Sequence, residues 1–363
     1  GDFRGALAAA SADGDAARRP MALVLSAIYW RNTWKYQARG YRHFFWDSGA
    51  MLANLLAAAG ALGFEPRVLA GFVDREVNAL LGLDPEREAA LEIIPLGPLS
   101  PPAPPAPPVD PIDYPIVPLS SEAVDYPALR EIHSASMLDT PEVVRAWRRA
   151  EPLPARSPRA PTIGLPEPRR EAGRAFGETV LRRASTRQFS HEALSALELS
   201  TALASAAGGI PADFPSQLVS LYLIVNAVEG IEPGSYCYWP GGNGLELLSP
   251  GDHRSRSAYL CLDQPLGGDA AAVIYFLAPL DAILTRWGNR GYRIANLEAG
   301  YCGGRAYLAA YAQGFGASGL TFYDADVGRF FEPHARGLDA IFVTALGRSA
   351  RGGAREPAPL RIR

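Results

Sequence analysis

Apolar residues return along this chain in two rhythms, and one succession of them occurs twice. Met51, Leu52, Leu55, Leu56, Ala59 and Leu62 recur at helical spacing. Asp47 or Ser48 is placed to cap that helix, and Gly63 to stop it in a left-handed conformation. Leu297, Tyr301, Leu308 and Tyr311 mark a second helix, stopped by Gly314. A short apolar strand precedes each helix, Met21 to Ile28 in one case and Ala271 to Pro279 in the other. A glycine-bearing loop, a short acidic helix and a last strand follow, ending as Leu91 to Gly97 and as Ala340 to Gly347. Strand–helix–strand order with buried apolar strands predicts a sheet flanked by helices, an α+β fold.

The two successions share a motif. Lys35-Tyr36-Gln37-Ala38-Arg39-Gly40-Tyr41-Arg42 opens the first, and Arg286-Trp287-Gly288-Asn289-Arg290-Gly291-Tyr292-Arg293 the second. Gly300, Gly303 and Gly304 each cost a helix about 1 kcal/mol. They imply the close approach of another backbone or of a flat ligand, with tight helix–helix packing as the plainer reading.

Only the second copy has a front half. Residues 178–183 read as the end of a helix, and Ser195-Ala196-Leu197-Glu198 as a capping box that opens another. Leu218 to Asn226 reads as a strand, and Tyr236 to Leu248 as a hairpin around Pro240-Gly241-Gly242-Asn243-Gly244. The expected division is 1–97 as the back half of a first copy, 98–170 as a proline-rich linker with short helices, 171–350 as a full second copy, and 351–363 as a tail. Residues 95–118 predict an extended spacer, with a ligand for a proline-binding domain as the weaker alternative. Residues 122–150 predict one or two short helices anchored by Trp147, and 156–170 a loop. The chain opens on Gly1, inside a segment with no clear beginning of its own, so a fragment is expected.

Composition narrows the function. In 363 residues, 48% are hydrophobic and 20% charged, a globular balance with ample material for a core. The formal net charge of -3 supplies no general attraction to nucleic acid. No apolar run is long enough for a membrane helix, and no secretory signal is visible. Cys237, Cys261 and Cys302 lack metal-ligand spacing and read as buried reduced thiols of a cytoplasmic protein. The five histidines are scattered, without nucleophile-elbow or metal spacing. No Gly-X-Gly-X-X-Gly follows a strand, which argues against a nicotinamide-binding Rossmann domain.

The sharpest chemical signal is Arg182-Arg183-Ala184-Ser185-Thr186-Arg187-Gln188-Phe189. Arginines and hydroxyls this dense, just after a helix, can hold a phosphate through forked, charge-assisted hydrogen bonds. They can equally form a solvated basic turn. The pattern Arg-Arg-X-Ser-X-Arg-X-Phe, followed by Leu-Ser-X-X-Glu-Leu, resembles the FMN-binding entry of the nitroreductase family, in the form found in SagB-type dehydrogenases. Residues 228–236, Trp34-Lys35-Tyr36 with residues 39–42 as the central loop, and Gly71-Phe72-Val73-Asp74 with residues 80–84 are similar to further segments of that branch, in the same order.

The resemblance implies an FMN oxidoreductase whose two copies form an intrachain pseudo-dimer, the flavin lying between them. Members of this branch oxidise thiazoline or oxazoline rings of peptides to azoles. It implies that Arg183, Ser185 and Arg187 hold the phosphate end, with Arg182 near and Arg348 in reach. Gly316, Ser318 and Gly319, and in the first copy Ala70 and Gly71, are implied to lie by the flavin ring. Lys35 and Tyr36 match a catalytic pair, in which a desolvated lysine or its tyrosine neighbour can take a proton while hydride leaves. In the second copy the pair is Arg286-Trp287, and arginine is no base. Pro215-Ser216 runs into Gln217-Leu218-Val219 without the family's glycine-containing insert. The expected partner is a peptide or small substrate, with a further homodimer or biosynthetic complex possible. A non-catalytic subunit that binds a peptide or partner enzyme, and a nicotinamide-dependent nitro or quinone reductase, stand as alternatives.

Overall fold

Arg39-Gly40-Tyr41-Arg42 and Arg290-Gly291-Tyr292-Arg293 do not lie in loops: each opens the longest helix of its half. In the computed structural model, which describes residues 1–350 except 111, 113, 114, 116 and 172, the first half runs α1 (Arg4–Ser11), β1 (Met21–Ile28), α2 (Trp30–Tyr36), α3 (Gly40–Ala61), α4 (Asp74–Leu81) and β2 (Glu88–Leu96). The linker holds α5 (Pro127–Ala135), α6 (Pro141–Arg148) and β3 (Thr162–Gly164). The second half opens with α7 (Phe176–Arg182), α8 (Ala196–Ala206), β4 (Ser220–Val225), β5 (Gly234–Trp239) and β6 (Gly244–Pro250). It continues with α9 (Arg254–Leu260), α10 (Pro265–Asp269), β7 (Ala272–Ala278), α11 (Leu280–Trp287), α12 (Arg290–Gln313), β8 (Gly316–Gly319), α13 (Asp324–Phe330) and β9 (Asp339–Gly347). The expected tail, 351–363, lies outside the described residues.

A seven-stranded sheet has the order β3-β6-β5-β4-β7-β9-β8, and β1 pairs with β2 alone. The short strand β3 falls where a loop was expected; Thr162–Gly164 has β6 as a ready edge to pair with. The pairings β1–β2 and β7–β9 are both antiparallel, and both carry a register irregularity at the same place in the repeat, after Leu25 and after Phe276. Thus α1 to β2 and α9 to β9 are one plan used twice.

The copies meet along α3 and α12. A Cβ at Gly49 would lie 2.3 Å from the Leu297 carbonyl oxygen, and one at Gly300 would lie 2.4 Å from that of Trp46. These are reciprocal contacts, since Gly49 and Gly300, and Trp46 and Leu297, are repeat counterparts. A Cβ at Gly304 would meet that of Ala53 at 2.8 Å. Helix packing therefore accounts for two of the three α12 glycines; Gly303 lies against the Phe342 ring. Tyr41 and its counterpart Tyr292 stack face to face, with centroids 6.4 Å apart and planes 7° apart.

The motif arginines complete the exchange. Asp74, opening α4, binds Arg290 at 2.6 Å and Arg293 at 2.8 Å from the other copy. Asp324, opening α13, binds Arg42 at 2.7 Å and also Arg39. The first triad is sealed, its side chains at most 3% exposed, whereas Asp324 is 38% exposed. The linker does the sealing. Leu138 donates its backbone N–H to Asp74, the His133 carbonyl accepts from Arg293, and the Ser136 carbonyl accepts from Arg290. Trp147 is buried as expected, against Gly71.

Asp47 and Ser48 are not caps. Helix α3 begins at Gly40, so both fall inside it. Asp47 accepts from Asn32, and Ser48 donates to the buried Glu92.

Candidate functional site

The arginine–hydroxyl segment follows α7 directly and crosses the C-terminal half of α12. The Thr186 backbone N–H donates to the Ala317 carbonyl at 2.9 Å, which fastens the segment to β8. Its side chain needs Gly316 beside it, where a Cβ would lie 2.1 Å from Thr186 Oγ1. The Ser185 hydroxyl shares a hydrogen bond of 3.2 Å with the Tyr307 hydroxyl, which also accepts the Gly319 backbone N–H. The Thr186 and Tyr311 hydroxyls pair at 3.3 Å. The result is a floor of hydroxyls and backbone donors.

The cations around it are unequally engaged. The Arg183 guanidinium lies 4.4 Å from the Tyr307 ring centroid, and its buried Nε finds no acceptor among the described residues. Arg187 is exposed, without a partner among the described residues. Arg182 is bound to Glu178 at 2.9 Å, and Arg348 to the capping-box residue Glu198 at 2.9 Å. The free charge of the cluster therefore sits on Arg183 and Arg187.

Opposite lies the first copy. Burial raises the Asp47 carboxyl above its ordinary value, while the Asn32 hydrogen bond and the Arg183 charge work against that shift. Asn32 is on α2, the helix that ends in Lys35 and Tyr36. Lys35 is exposed, its Nζ 5.0 Å from the Tyr36 ring centroid. Tyr36 stacks on His43 at 3.9 Å, and His43 lies 4.4 Å from Trp46. Burial, with the charges of Arg42, Arg39 and Lys35, pushes His43 down to about 3, so its ring is neutral at physiological pH. From Trp46 the aromatic wall passes to Phe342, 5.2 Å away, and so to Gly319.

The structure thus joins Arg183, Ser185, Gly316, Ser318 and Gly319 in one patch, with Arg187 exposed beside it. It does not bring Ala70 and Gly71 there. Their N–H groups both bind Asp213, at 2.8 and 3.1 Å, and the Trp147 ring covers Gly71. Asp213 is itself clamped by Arg148. Sequence reasoning missed Tyr307, Tyr311, Asn32 and Asp47. Tyr307 and Tyr311 stand one helical turn apart, a spacing that could have marked them.

The loop after Pro215-Ser216 is closed from below. Glu298, the counterpart of Asp47, is fully buried and accepts the Leu218 N–H at 2.8 Å. Burial pushes its carboxyl up to about 7, against the backbone N–H donors at Leu218, Val219 and Gln217.

Residues 6–97 and 180–339 match the sequence model of the Nitroreductase family. The chain belongs to the nitroreductase family. A nitroreductase-family crystal structure from Anabaena variabilis superposes with a TM-score of 0.78 at 27% identity, covering 96% of this chain and 73% of that one. A Methanocaldococcus jannaschii protein named as a nitroreductase is 25% identical over 159 residues, which is 41% of this chain and 80% of that protein. The microcin B17-processing protein McbC of Escherichia coli is 36% identical over 70 residues, 19% of this chain and 26% of McbC. This nitroreductase-fold chain has no helix, among its described residues, long and apolar enough to cross a membrane. Among the same residues no group of His, Cys, Asp and Glu is arranged to hold a metal ion.

Proposed function

We propose that this chain is an FMN-dependent oxidoreductase that oxidises a thiazoline or oxazoline ring, carried by a peptide, to the azole. The observation that carries the reading is the unpaired charge of Arg183 and Arg187 over the Ser185–Tyr307–Gly319 floor. A buried guanidinium edge without an acceptor is costly unless a ligand supplies one, and a phosphate fits both its charge and its fork. Arg183, Ser185 and Arg187 would hold the phosphate, and Gly316 to Gly319 would border the ring. Arg348 can contribute only in competition with Glu198.

FMN, when bound, supplies the hydride acceptor. The chain's own part is positioning and proton removal. The stack on neutral His43 holds the Tyr36 ring in one plane beside Lys35. Lys35 is exposed in the free chain, and a substrate lying over it would strip its water and favour the neutral amine, the form able to take a proton from the ring carbon. The short McbC match supports a peptide substrate, and the three buried thiols support a cytoplasmic setting.

A second reading is favoured by one observation. Glu298 draws the loop after Ser216 inward, where family members bring a glycine stretch to the flavin. On that reading the chain is a partner subunit without cofactor. The visible spectrum after incubation with FMN and desalting decides between them. Retained flavin bands that are lost in Arg183→Ala and Arg187→Ala support the enzyme; turnover of an azoline-bearing peptide then tests the substrate. A colourless parent chain leaves only the partner subunit.

A further inference from the structure

The two copies end their equivalent short helices in the same backbone conformation, but only one of them does so with glycine. Helix α11 stops at Gly288, with φ 59° and ψ -160°. Helix α2 stops at the counterpart, Gln37, with φ 53° and ψ -141°. Glycine occupies this region freely, whereas a residue with a Cβ is strained in it. Room is not the reason for the difference, since a Cβ at Gly288 would meet nothing within 4 Å. Nor does the Gln37 side chain offset the strain. Its backbone N–H donates to the Thr33 carbonyl, a bond that glycine would make equally well. The side chain is exposed, and its amide has no hydrogen-bond partner among the described residues. This strained residue directly follows Lys35 and Tyr36.

The second copy shows what lies against such a helix end. The linker crosses α11 between Arg148, clamped to Asp213, and Arg156, which donates to Ser220 and Tyr222. On the way Arg286 donates to the carbonyl oxygens of Glu151 and Pro152, at 2.9 and 2.6 Å. A stretch of polypeptide is thus held there by its backbone. At α2 the counterpart of Arg286 is Lys35, which is exposed and has no hydrogen-bond partner among the described residues. The base of the reaction proposed above and the strained glutamine therefore share one open helix end, whose repeat counterpart binds peptide backbone.

We propose that the Gln37 carboxamide binds the backbone of the peptide substrate beside the heterocycle, so that the peptide flanking the ring is recognised and not the ring alone. The inference rests on the reading of this chain as one that acts on a peptide-borne azoline. A carboxamide both donates and accepts, and so matches a peptide unit, which offers one carbonyl and one N–H. A bound peptide supplies the partner that the chain itself does not. It accounts for a side chain at a position whose backbone suits glycine better, since strain of this kind gathers where ligands are held.

The test compares the parent with Gln37→Gly and Gln37→Ala by thermal unfolding, by the anisotropy of a dye-labelled azoline-bearing peptide, and by the flavin bands after desalting. Gln37→Gly is expected to raise Tm by about 2–4 °C as the strain is relieved. It is also expected to weaken peptide binding about three- to tenfold through the lost hydrogen bonds. Gln37→Ala keeps the Cβ and hence the strain, so its Tm should stay near the parent's while its binding weakens equally. Flavin bands should be the same in all three. A Tm that does not rise with glycine overturns the proposal, because there is then no strain to explain. Peptide affinity equal to the parent's in either variant overturns it as well, and so does a parent that does not bind the peptide. Flavin bands lost along with affinity also overturn it, since the site and not the amide has then failed. A parent that binds the peptide through Gln37 but holds no flavin supports this inference and sinks the enzyme reading.

Discussion

Asp74 carries two guanidiniums from the opposite copy in a site closed to water. Removing one partner of a buried ionic cluster leaves the others uncompensated, at a cost of about 3–5 kcal/mol. Asp74→Asn is therefore expected to lower stability by that order in urea unfolding. Asp324→Asn, its half-exposed counterpart, should cost only about 1 kcal/mol. Equal losses would show that burial does not set the difference. Glu92 tests a second residue. Its carboxyl is fully buried, accepts only from Ser48, and is pushed by burial up to about 8 from 4.5. An acid raised in the folded state binds more protons folded than unfolded between those values. Its contribution is full below pH 4.5 and is lost as pH rises toward 8. Glu92→Gln keeps the Ser48 hydrogen bond and should flatten this loss, so that its Tm gains on the parent's between about pH 5 and pH 9. The same slope in both proteins would remove Glu92 as its source.

Between elements, the crossing of α3 and α12 leaves no room for a methyl group. Gly300→Ala would set a Cβ against the Trp46 backbone, which cannot swing away as a side chain can. A loss of about 1–3 kcal/mol is expected, roughly 2–4 °C of Tm per kcal/mol at this size. Gly60→Ala, in α3 with nothing within 4 Å, should instead gain up to about 1 kcal/mol from helix propensity. Glycine crowding was legible in the sequence because three glycines in one helix are costly without a reason. The starts of α3 and α12 were not. Arginine, glycine and tyrosine read as loop, and Asp47-Ser48 as a cap, because the carboxylates that satisfy those arginines lie far away in sequence. A cap is a local signal, while Arg290–Asp74 is a contact between halves. The arginine–hydroxyl patch, as a piece of structure, was half legible for the same reason. Arg183, Ser185 and Arg187 lie within five positions, but Tyr307, which touches Arg183 and Ser185, comes from α12, and Asp47 opposite comes from the other copy.

At the scale of the molecule, the linker is no mere spacer. Ser100 and Ala103 are tied to Arg18 and Ala17, α5 closes the Asp74 triad, and Arg156 donates to Ser220 and Tyr222 of the large sheet. The exposed stretch at Pro107, Pro108 and Val109 lies between these anchor points and carries none of them. A protease site inserted after Pro108 should thus be cut without separating the halves, since an exposed tip tolerates insertion. The halves are held by the α3–α12 crossing and by two ion-pair triads, only one of which salt can reach. The nicked chain is expected to elute as a single species at low and at high salt. Nicked Gly300→Ala combined with Asp74→Asn should separate, because it loses both the close helix contact and the sealed triad. If the nicked parent falls apart, covalent continuity rather than this interface joins the two copies. The nearness of Arg183 to Asp47 would then depend on the linker alone.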